Sequence, residues 1–520
     1  MAWIVLGEEN GKIKLVSKSH SPNEMPGLLP KGSYLTIENK ETGSKFILRV
    51  DDSNQSEPYR PSPLIVDMDL EGLYGDTKCQ NIIYAYRIKD ITNRDDGKID
   101  FIPPQALARR STQEEIDVAF DASGRGPKVF LATIHSGHNQ LLIDEKKNFI
   151  TACLPEDAFF HQMLICGKTG SGKTVAMKYL VQYFIEKMEG AVLTVNVKDT
   201  DFLKMDQPSK TNNPQLLKEW NVLNEIPHGI ENCTIYYPAN TSIESNKGVN
   251  YQIAKRITLD VKKIEPEALT GLLQNITEIG AQNFPDIFRY WQQDKNNNEI
   301  TFNKFADYFQ QGQTNPTYPT LNSRGDVSSV TLHTGTFNNI ARNLNSALVF
   351  FDNEDAGTID YGDILYPGKL SIINVAGEKG IQFGSILLRD LLKKIVVAKS
   401  QRINNTPILV IIDEVHQFYN TESSREALGD LDTICRTGRS QKIGVVFASQ
   451  NQNDIPKGLS SVINTKIFFK SDGISGNLYG VSGEEIQTLS PGYAVANIHN
   501  ISQLRIIKFP LSFAGVIEEE

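Results

Sequence analysis

The segment from Met163 to Val175 constrains the fold of this chain most strongly. It reads MLICGKTGSGKTV and contains the complete pattern G-x-x-x-x-G-K-[ST]. The apolar run before the pattern has the length of a strand, and the run after it favours a helix. Such a glycine-rich bend points successive backbone N–H groups inward, and the helix directs its positive end at the same point. The sequence therefore predicts a phosphate-binding loop.

The residues of this loop predict ATP and Mg²⁺ as cofactors. Lys173 is expected to reach the β- and γ-phosphates, and the Thr174 hydroxyl to ligate Mg²⁺. The alternative, a glycine turn between an ordinary strand and helix, is disfavoured by the complete match. Nucleotide-binding residues are predicted along the whole loop: Gly167, Lys168, Thr169, Gly170, Ser171, Gly172, Lys173, Thr174 and Val175.

A second apolar run, from Pro407 to Ile412, ends in two acidic residues, Asp413 and Glu414. Ligands of open α/β sheets bind at the carboxyl ends of the strands. Asp413 is therefore predicted to hold the Mg²⁺ shell, and Glu414 to orient or deprotonate the attacking water. A strand that merely ends in surface acids is the alternative, which the phosphate-binding loop disfavours.

A third strand is predicted at Ile443–Ser449 and is followed by Gln450. An amide at the tip of such a strand can bridge the attacking water and the γ-phosphate. Asn451 and Gln452 offer the same chemistry, and a solvated Gln450 is a further alternative. The residue that fills this role therefore stays open.

Basic residues supply candidates for stabilising transition-state charge. Arg436 and Arg439 precede the third strand and could act in their own chain or in a neighbouring one. A basic surface loop is the alternative interpretation, and Arg342 is a weaker candidate for the role. Lys198 and Asp199, at the end of another apolar strand, either touch substrate or form a surface ion pair.

Composition excludes several classes of protein. Of 520 residues, 40% are hydrophobic and 22% charged, as in ordinary globular proteins of two or three domains. No apolar run approaches the roughly 18 residues of a membrane span, and the first residues do not resemble a secretory signal. Five scattered cysteines favour a reducing cytoplasm and disfavour a zinc site. A formal net charge of −9 argues against a generally basic surface, although a locally basic channel is compatible with it.

The remaining pattern predicts an α/β fold with a small β-barrel in front of it. Short strands in residues 1–105 predict the barrel, and residues 106–134 a connector. Strands covered on both faces predict a core at 135–254 and 346–520, ending in a hairpin and an acidic tail. Apolar residues at helical spacing predict an α-helical insertion at 255–345.

Several local patterns give sharper predictions. Apolar residues from Val327 to Leu344 recur at helical spacing and predict one helix. Leu64–Met68 predicts a further strand of the barrel, and the proline pair at 103–104 predicts where the barrel ends. Thr112 and Glu115 have the spacing of a capping box at the start of a short helix.

The order of these motifs resembles the FtsK–HerA superfamily of hexameric translocases, and within it the HerA-type DNA translocases. His161–Thr174 is similar to the family's approach to the phosphate-binding loop. Thr437–Gln450 is similar to its Gly-Arg run before a strand that ends in Gln, and Asp454–Pro456 reads D-I-P, as the family often does. The β-rich N-terminus is placed like the family's HAS barrel, and the helical block like its insertion.

This resemblance implies a RecA-like P-loop ATPase core in a homohexameric ring, with double-stranded DNA in the central channel and ATP between subunits. It implies Glu414 as the base, Gln450 as the sensor, and Arg436 or Arg439 reaching across the interface. Lys168 departs from the small or polar residue common at its position, which is harmless to the loop. Family members commonly act with a NurA-type nuclease, and some bacterial relatives lie beside a Sir2-like or nuclease effector in phage defence.

Three functions are consistent with the resemblance. The first is an ATP-driven translocase or helicase on double-stranded DNA, working with a nuclease or effector in DNA end processing or anti-phage defence. The second is a regulatory or scaffold ATPase ring that assembles an effector and is indifferent to DNA. The third is a soluble secretion or conjugation motor. For all three we expect a cytoplasmic protein without a membrane partner.

Overall fold

A computed structural model describes most of the chain, which divides into two compact units. The first unit combines residues 1–156, 170–172 and 467–510, and the second combines 157–169, 173–466 and 511–520. The described residues are 3–18, 27–56, 80–91, 100–120, 125–144, 146–198, 202–241, 248–273, 278–294, 299–376, 378–419, 429–456, 458–472, 474, 476–501 and 503–517.

Strands and α-helices within these residues are numbered in chain order. The strands are β1 Trp3–Glu9, β2 Lys12–Lys18, β3 Tyr34–Glu38, β4 Lys45–Ser56, β5 Gln80–Ile91, β6 Leu107–Arg110, β7 Lys128–His135, β8 His138–Leu141, β9 Thr151–Cys153, β10 Met163–Cys166, β11 Ala191–Asn196, β12 Cys233–Pro238, β13 Ala254–Ile257, β14 Thr317–Leu321, β15 Val327–Thr331, β16 Leu370–Asn374, β17 Ile408–Ile412, β18 Ile443–Ser449, β19 Thr465–Phe468, β20 Asn477–Leu478, β21 Val481–Ser482, β22 Tyr493–Asn497 and β23 Ile506–Lys508. The helices are α1 Gln113–Ala119, α2 Lys173–Glu186, α3 Pro214–Leu223, α4 Glu278–Gln293, α5 Phe302–Gln310, α6 Thr334–Ala347, α7 Tyr361–Ile364, α8 Glu378–Ser400, α9 Asp430–Gln441 and α10 Gly483–Gln487.

In the first unit, six antiparallel strands close into the predicted barrel, in the order β1-β2-β5-β4-β3-β6. Side chains such as Leu35, Phe46 and Ile83 alternate inward along their strands and fill its core. The β3–β4 hairpin turns through Gly43, whose φ is +73°. The barrel does not end at the proline pair 103–104, because β6 follows it and pairs with β1 and β3. Prolines placed before the first paired residue of a strand remove no hydrogen bond from the barrel.

A capping box starts α1, as predicted. Thr112 Oγ1 accepts a hydrogen bond from the Glu115 backbone N–H at 3.4 Å, and the Thr112 N–H donates to Glu115 Oε2 at 3.0 Å. Arg109 and Thr36 also donate to this carboxylate. Burial alone would raise the pKa of Glu115, but these hydrogen bonds outweigh burial and lower the pKa to about 2. The carboxylate therefore joins α1 to the barrel.

The first unit also contains an antiparallel sheet. In it β7 pairs with β8, β9 and β23, and β22 pairs with β23. The β22–β23 pair is the predicted C-terminal hairpin, with Val495 opposite Ile506. Its inward residues, including Val495 and Ile506, form an apolar cluster with Ala132 and Ile486.

The second unit is built on a parallel sheet with the strand order β13-β12-β16-β11-β17-β18-β10. Strands β10, β11, β12, β16, β17 and β18 are buried along their whole length. Continuous burial of parallel strands is expected where helices cover both faces of a sheet. The predicted α/β class is confirmed. The order also places β18 between β10 and β17. Because these three neighbouring strands are parallel, their carboxyl ends lie at the same edge of the sheet.

Helices α4, α5 and α6 follow β13 in the chain and share an aromatic core. Phe305 packs edge-to-face on Phe288 and at a tilt on Trp291, with ring centroids 4.8 and 5.1 Å away. The single helix predicted from Val327 to Leu344 is wrong at its start, because Val327–Thr331 is strand β15, paired with β14. A β-branched Val-Ser-Ser-Val-Thr sequence favours a strand, and the helix begins only at Thr334.

Some predictions fall outside the described residues, namely the strand at 64–68, Asp199 and the acidic tail at 518–520. Within the described part, Cys153, Cys166, Cys233 and Cys435 are free thiols. None of the helices that the structure describes has both the length and the apolar character needed to cross a membrane.

Candidate functional site

Three parallel strands bring the predicted site residues to one edge of the sheet. β10 leads into the phosphate-binding loop, β17 into Asp413 and Glu414, and β18 into Gln450. The Gly167 N–H donates to the Ser449 carbonyl at 3.1 Å, which ties the first loop residue to the end of β18. Because the carboxyl ends of neighbouring parallel strands meet at one edge, residues far apart in the sequence become neighbours here.

The loop needs its glycines. Gly170 and Gly172 have φ values of +78° and +95°, a region that side chains with a Cβ disfavour. A Cβ on Gly172 would also lie 2.5 Å from the backbone nitrogen of Gly492. That nitrogen donates to the Ser171 carbonyl at 2.9 Å, which fixes the tip of the loop. The glycine pattern read from the sequence is therefore a backbone requirement.

Lys173 and Asp413 form a buried ion pair. Their Nζ and Oδ1 atoms lie 3.4 Å apart, and the side chains are 5% and 2% exposed. Asp413 Oδ2 is buried and has no hydrogen-bond partner among the described residues. Such an oxygen is costly to bury alone and is the ligand that a hard divalent cation prefers. The position fits Mg²⁺, and the second ligand predicted from the sequence, the hydroxyl of Thr174, belongs to the first turn of α2.

Glu414 occupies an unusual backbone position directly after Asp413. Its φ and ψ are 47° and 54°, in the left-handed region that non-glycine residues occupy infrequently. The side chain is 3% exposed. Its Oε1 accepts hydrogen bonds from Gln450 Nε2 at 2.9 Å and from Lys198 Nζ at 3.2 Å. Its Oε2 is buried and accepts no hydrogen bond within the described part of the chain.

The surroundings of Glu414 keep it ionised. Burial alone would raise the pKa of Glu414, but the hydrogen bond from Gln450 and the charges of Lys173 and Lys198 outweigh burial. The pKa is therefore lowered from its ordinary value. An ionised carboxylate with one unpartnered oxygen can accept a proton from a bound water.

Gln450 is the amide that meets Glu414 among the three candidates from the sequence. Asn451 instead caps a short 3-10 turn, where its Oδ1 accepts from the Asn453 N–H at 3.0 Å. Gln452 lies exposed in the same turn. The structure therefore brings one of the three amides into contact with the acidic residue.

Arg436 and Arg439 lie on helix α9 and not on a loop. Arg436 pairs with Asp432 at 2.9 Å, and Arg439 pairs with Asp157 at 3.4 Å. Helix α9 leads into the amino end of β18, whereas Gln450 follows its carboxyl end. A strand of 7 residues separates the two ends, which is roughly 20 Å at the usual rise per residue. Arg439, in the last turn of α9, therefore lies near the amino end of β18, away from this site in its own chain.

Two further residues near Glu414 were undecided or missed by the sequence analysis. Lys198, left between substrate contact and a surface ion pair, pairs with Glu414. His416 was not singled out, and its Nδ1 lies 3.9 Å from Glu414 Oε2 and 3.8 Å from Asp454 Oδ2. Its position two residues after Glu414 was the available signal. Arg342 lies exposed on α6.

These contacts define the class of protein. Lys173, in the first turn of α2, pairs with Asp413, which follows β17. Glu414 lies beside this pair and accepts a hydrogen bond from Gln450, which follows the strand between, β18. P-loop ATPases use this arrangement, and the chain is a P-loop ATPase. A family model described as "Helicase HerA, central domain" matches residues 141–402, and the chain belongs to this family. The predicted resemblance is confirmed, and the matched segment contains the phosphate-binding loop and ends before β17.

No curated protein matches the chain. Among solved structures, the bacterial conjugative coupling protein TrwBdeltaN70 is 13% identical, with 71% of this chain and 90% of that chain covered and a TM-score of 0.44. VirB4 of Thermoanaerobacter pseudethanolicus is 10% identical, with 73% and 95% covered and a TM-score of 0.41. B204, the DNA-packaging ATPase from Sulfolobus Turreted Icosahedral Virus, is 17% identical, with 27% and 66% covered and a TM-score of 0.20. These are remote likenesses.

Proposed function

We propose that this protein is an ATP-driven translocase or helicase of HerA type that acts on double-stranded DNA in the cytoplasm. One observation carries the proposal: the buried carboxylate of Glu414 is held by Gln450 through Oε1 while its Oε2 has no donor among the described residues. That arrangement suits a general base for water attack on a phosphate. Membership of the HerA family supports DNA as the substrate on which the hydrolysis energy is used.

In the proposed reaction, the loop N–H groups and Lys173 bind the β- and γ-phosphates, and the helix dipole of α2 adds to their attraction. Asp413 and the Thr174 hydroxyl would hold Mg²⁺, which neutralises charge on the phosphate oxygens when it is bound. Glu414 accepts the proton of the attacking water at Oε2, and Gln450 orients that water or senses the γ-phosphate. The remaining loop residues proposed to contact nucleotide are Gly167, Lys168, Thr169, Gly170, Ser171, Gly172 and Val175.

The proposal includes a homohexameric ring with ATP bound between subunits. In such a ring Arg436 or Arg439 would contribute to phosphoryl transfer in a neighbouring subunit. The position of Arg439 is consistent with this role, because it pairs with Asp157 ahead of β10 and so lies near the amino end of the sheet, away from the site of its own chain. A ring also concentrates a few basic residues at its channel, so that a subunit with a net charge of −9 can still hold DNA.

A partner protein completes the proposal. A NurA-type nuclease would indicate DNA end processing, and a Sir2-like or nuclease effector would indicate anti-phage defence. Co-purification of the native protein from its own cells, followed by mass spectrometry, identifies which class of enzyme accompanies it. Recovery of a secretion or conjugation component in its place would contradict both roles.

Measurement of ATP hydrolysis with and without double-stranded DNA tests the motor itself. We expect Mg²⁺-dependent hydrolysis that DNA stimulates at about 50 mM salt and stimulates much less at about 200 mM. Lys173→Ala should abolish turnover with and without DNA, because the γ-phosphate loses its cationic ligand. Hydrolysis that DNA does not stimulate at low salt would contradict a translocase and favour a regulatory ATPase ring.

A further inference from the structure

Lys198 contacts the residue to which the proposed reaction assigns proton transfer. It follows strand β11, the neighbour of β17, and its Nζ lies 3.2 Å from Glu414 Oε1. Glu414 is almost fully buried, whereas the Lys198 side chain is 41% exposed. An ordinary surface ion pair joins two exposed groups and contributes little to the free energy of folding. This pair instead joins a partly exposed lysine to a buried carboxylate. It therefore affects the ionisation and the orientation of that carboxylate.

Two buried amides hold the backbone of Lys198 in place. Asn196 Nδ2 donates to the Lys198 carbonyl at 2.5 Å and to Asn374 Oδ1 at 2.9 Å. Asn196 and Asn374 lie opposite each other at the ends of β11 and β16, and both are buried. Buried amides linked in this way define one local arrangement, because the alternatives leave polar groups unpaired. The start of the Lys198 side chain is therefore fixed relative to the sheet edge.

The two donors on Glu414 act on the same oxygen. Gln450 and Lys198 both donate to Oε1, and Oε2 is left without a hydrogen-bond donor among the described residues. Two donors from different strands fix the rotation of the carboxylate about its last bond, whereas one donor would leave that rotation open. Lys198 also offsets the cost of burying the ionised group.

We propose that Lys198 is a positioning residue for ATP hydrolysis, which fixes Oε1 of Glu414 so that Oε2 faces the attacking water. The inference rests on the proposed function, because it takes Glu414 as the base. Lys198 acts through Glu414 and needs no contact with the phosphates. Its effect therefore belongs to the hydrolysis step and not to nucleotide binding.

Lys198→Met tests this role through the separation of turnover from binding. We expect kcat for ATP without DNA to fall about tenfold, while KM and the Kd for a fluorescent ATP analogue change less than about twofold. Lys198→Arg, which keeps the charge and the donors, should recover most of kcat. Lys187→Met is the matched control, because Lys187 makes a surface pair with Glu225 at 3.5 Å and is 53% exposed. That control should leave kcat and KM unchanged.

A double-mutant cycle with Glu414→Gln distinguishes a positioning role from a structural one. If Lys198 acts through Glu414, Lys198→Met should slow the Glu414→Gln enzyme no further. Losses that multiply in the double variant would overturn the inference, as would a kcat of Lys198→Met that is unchanged or raised. Lys198→Gln, which keeps one donor, replaces Lys198→Met in the same comparison if the latter fails to fold.

The rates are measured without DNA so that the two proposals can fail separately. Wild-type hydrolysis that does not respond to DNA overturns the motor and leaves the Lys198 comparison intact. A normal DNA response together with an unchanged Lys198→Met overturns only the positioning role. Absence of any wild-type hydrolysis overturns both.

Discussion

Two buried glutamates, one in each unit, differ in a way that separates structure from function. Glu115 in the barrel unit has donors on both oxygens: Arg109 reaches Oε1 at 2.5 Å, and Thr36 reaches Oε2 at 2.8 Å. Glu414 in the sheet unit has two donors on Oε1, whereas its Oε2 accepts none from the residues described. The hydrogen bonds of Glu115 are therefore satisfied on both oxygens, whereas Glu414 keeps one oxygen without a donor, as its proposed role as the base requires.

Backbone conformation separates the same two residues. Glu115 lies in the first turn of α1, where a carboxylate satisfies free N–H groups and interacts well with the helix dipole. Glu414 has φ +47°, which costs on the order of 1–3 kcal/mol for a non-glycine residue. The proposed role of Glu414 as the base gives a functional reason for that cost. Hydrogen-bond completeness, more than backbone strain, distinguishes the structural carboxylate of Glu115 from the proposed catalytic one of Glu414.

The largest expected effect comes from Glu414→Gln. The amide keeps the size of the side chain but cannot accept a proton from water, so kcat should fall about 10³-fold. ATP binding should persist, which equilibrium binding of a fluorescent analogue can measure. Glu115→Gln is the matched control, because the same chemical change at a structural carboxylate should leave kcat within about twofold. Equal losses of kcat in the two variants would contradict the distinction between a structural and a catalytic glutamate.

Gln450→Ala should have the next largest effect. Removal of the amide takes one of the two donors from Glu414 Oε1, and we expect kcat to fall about tenfold with little change in KM. Asn451→Ala is the control, because Asn451 caps the turn that follows and does not contact Glu414. Steady-state hydrolysis by the two variants shows which of the two amides contributes to turnover. A larger loss at Asn451 would move the sensor role to that residue.

Glu115→Gln should destabilise the barrel without touching hydrolysis. The change removes a charged acceptor from Arg109 and Thr36, and we expect a loss of about 2 kcal/mol. Hydrogen exchange read by mass spectrometry can localise that loss to peptides of β3, β6 and α1. Thr112→Val removes only one partner in the capping box and should cost less, about 1 kcal/mol. Faster exchange confined to the second unit would contradict the assignment.

The local parts of the site were predictable from the sequence. The loop glycines, Lys173 and the Asp413–Glu414 pair are consecutive or nearly so, and their chemistry follows from spacing alone. The contact of Lys198 with Glu414 was not predictable, because it depends on β11 lying beside β17. Strand order is a property of the whole sheet, and no local pattern encodes it.

One error had a signal in the sequence that outweighs periodicity. Val327 and Val330 match helical spacing, but they are β-branched and follow Gly325, whose φ of +93° turns the hairpin. Arg436 and Arg439 precede a strand whose carboxyl end carries the site. A residue directly before a parallel strand lies at the edge opposite to the site, so the placement of Arg439 follows from strand direction, and a role of either arginine in a neighbouring subunit stays a prediction.

A last prediction is a pH dependence of barrel stability that arises from Glu115. Its pKa is lowered to about 2 in the folded protein from 4.5. The folded state therefore binds the proton more weakly than the unfolded state. The stability that the ionised group contributes is complete above pH 4.5 and is lost as pH falls towards 2. The difference in stability between the wild type and the Glu115→Gln variant isolates the contribution of Glu115, because the remaining acidic residues contribute equally to both. The difference in barrel protection by hydrogen exchange should be constant from pH 7 to about 5 and shrink below it. A difference that persists unchanged at pH 3 would mean that hydrogen bonds, and not charge, hold α1 to the barrel.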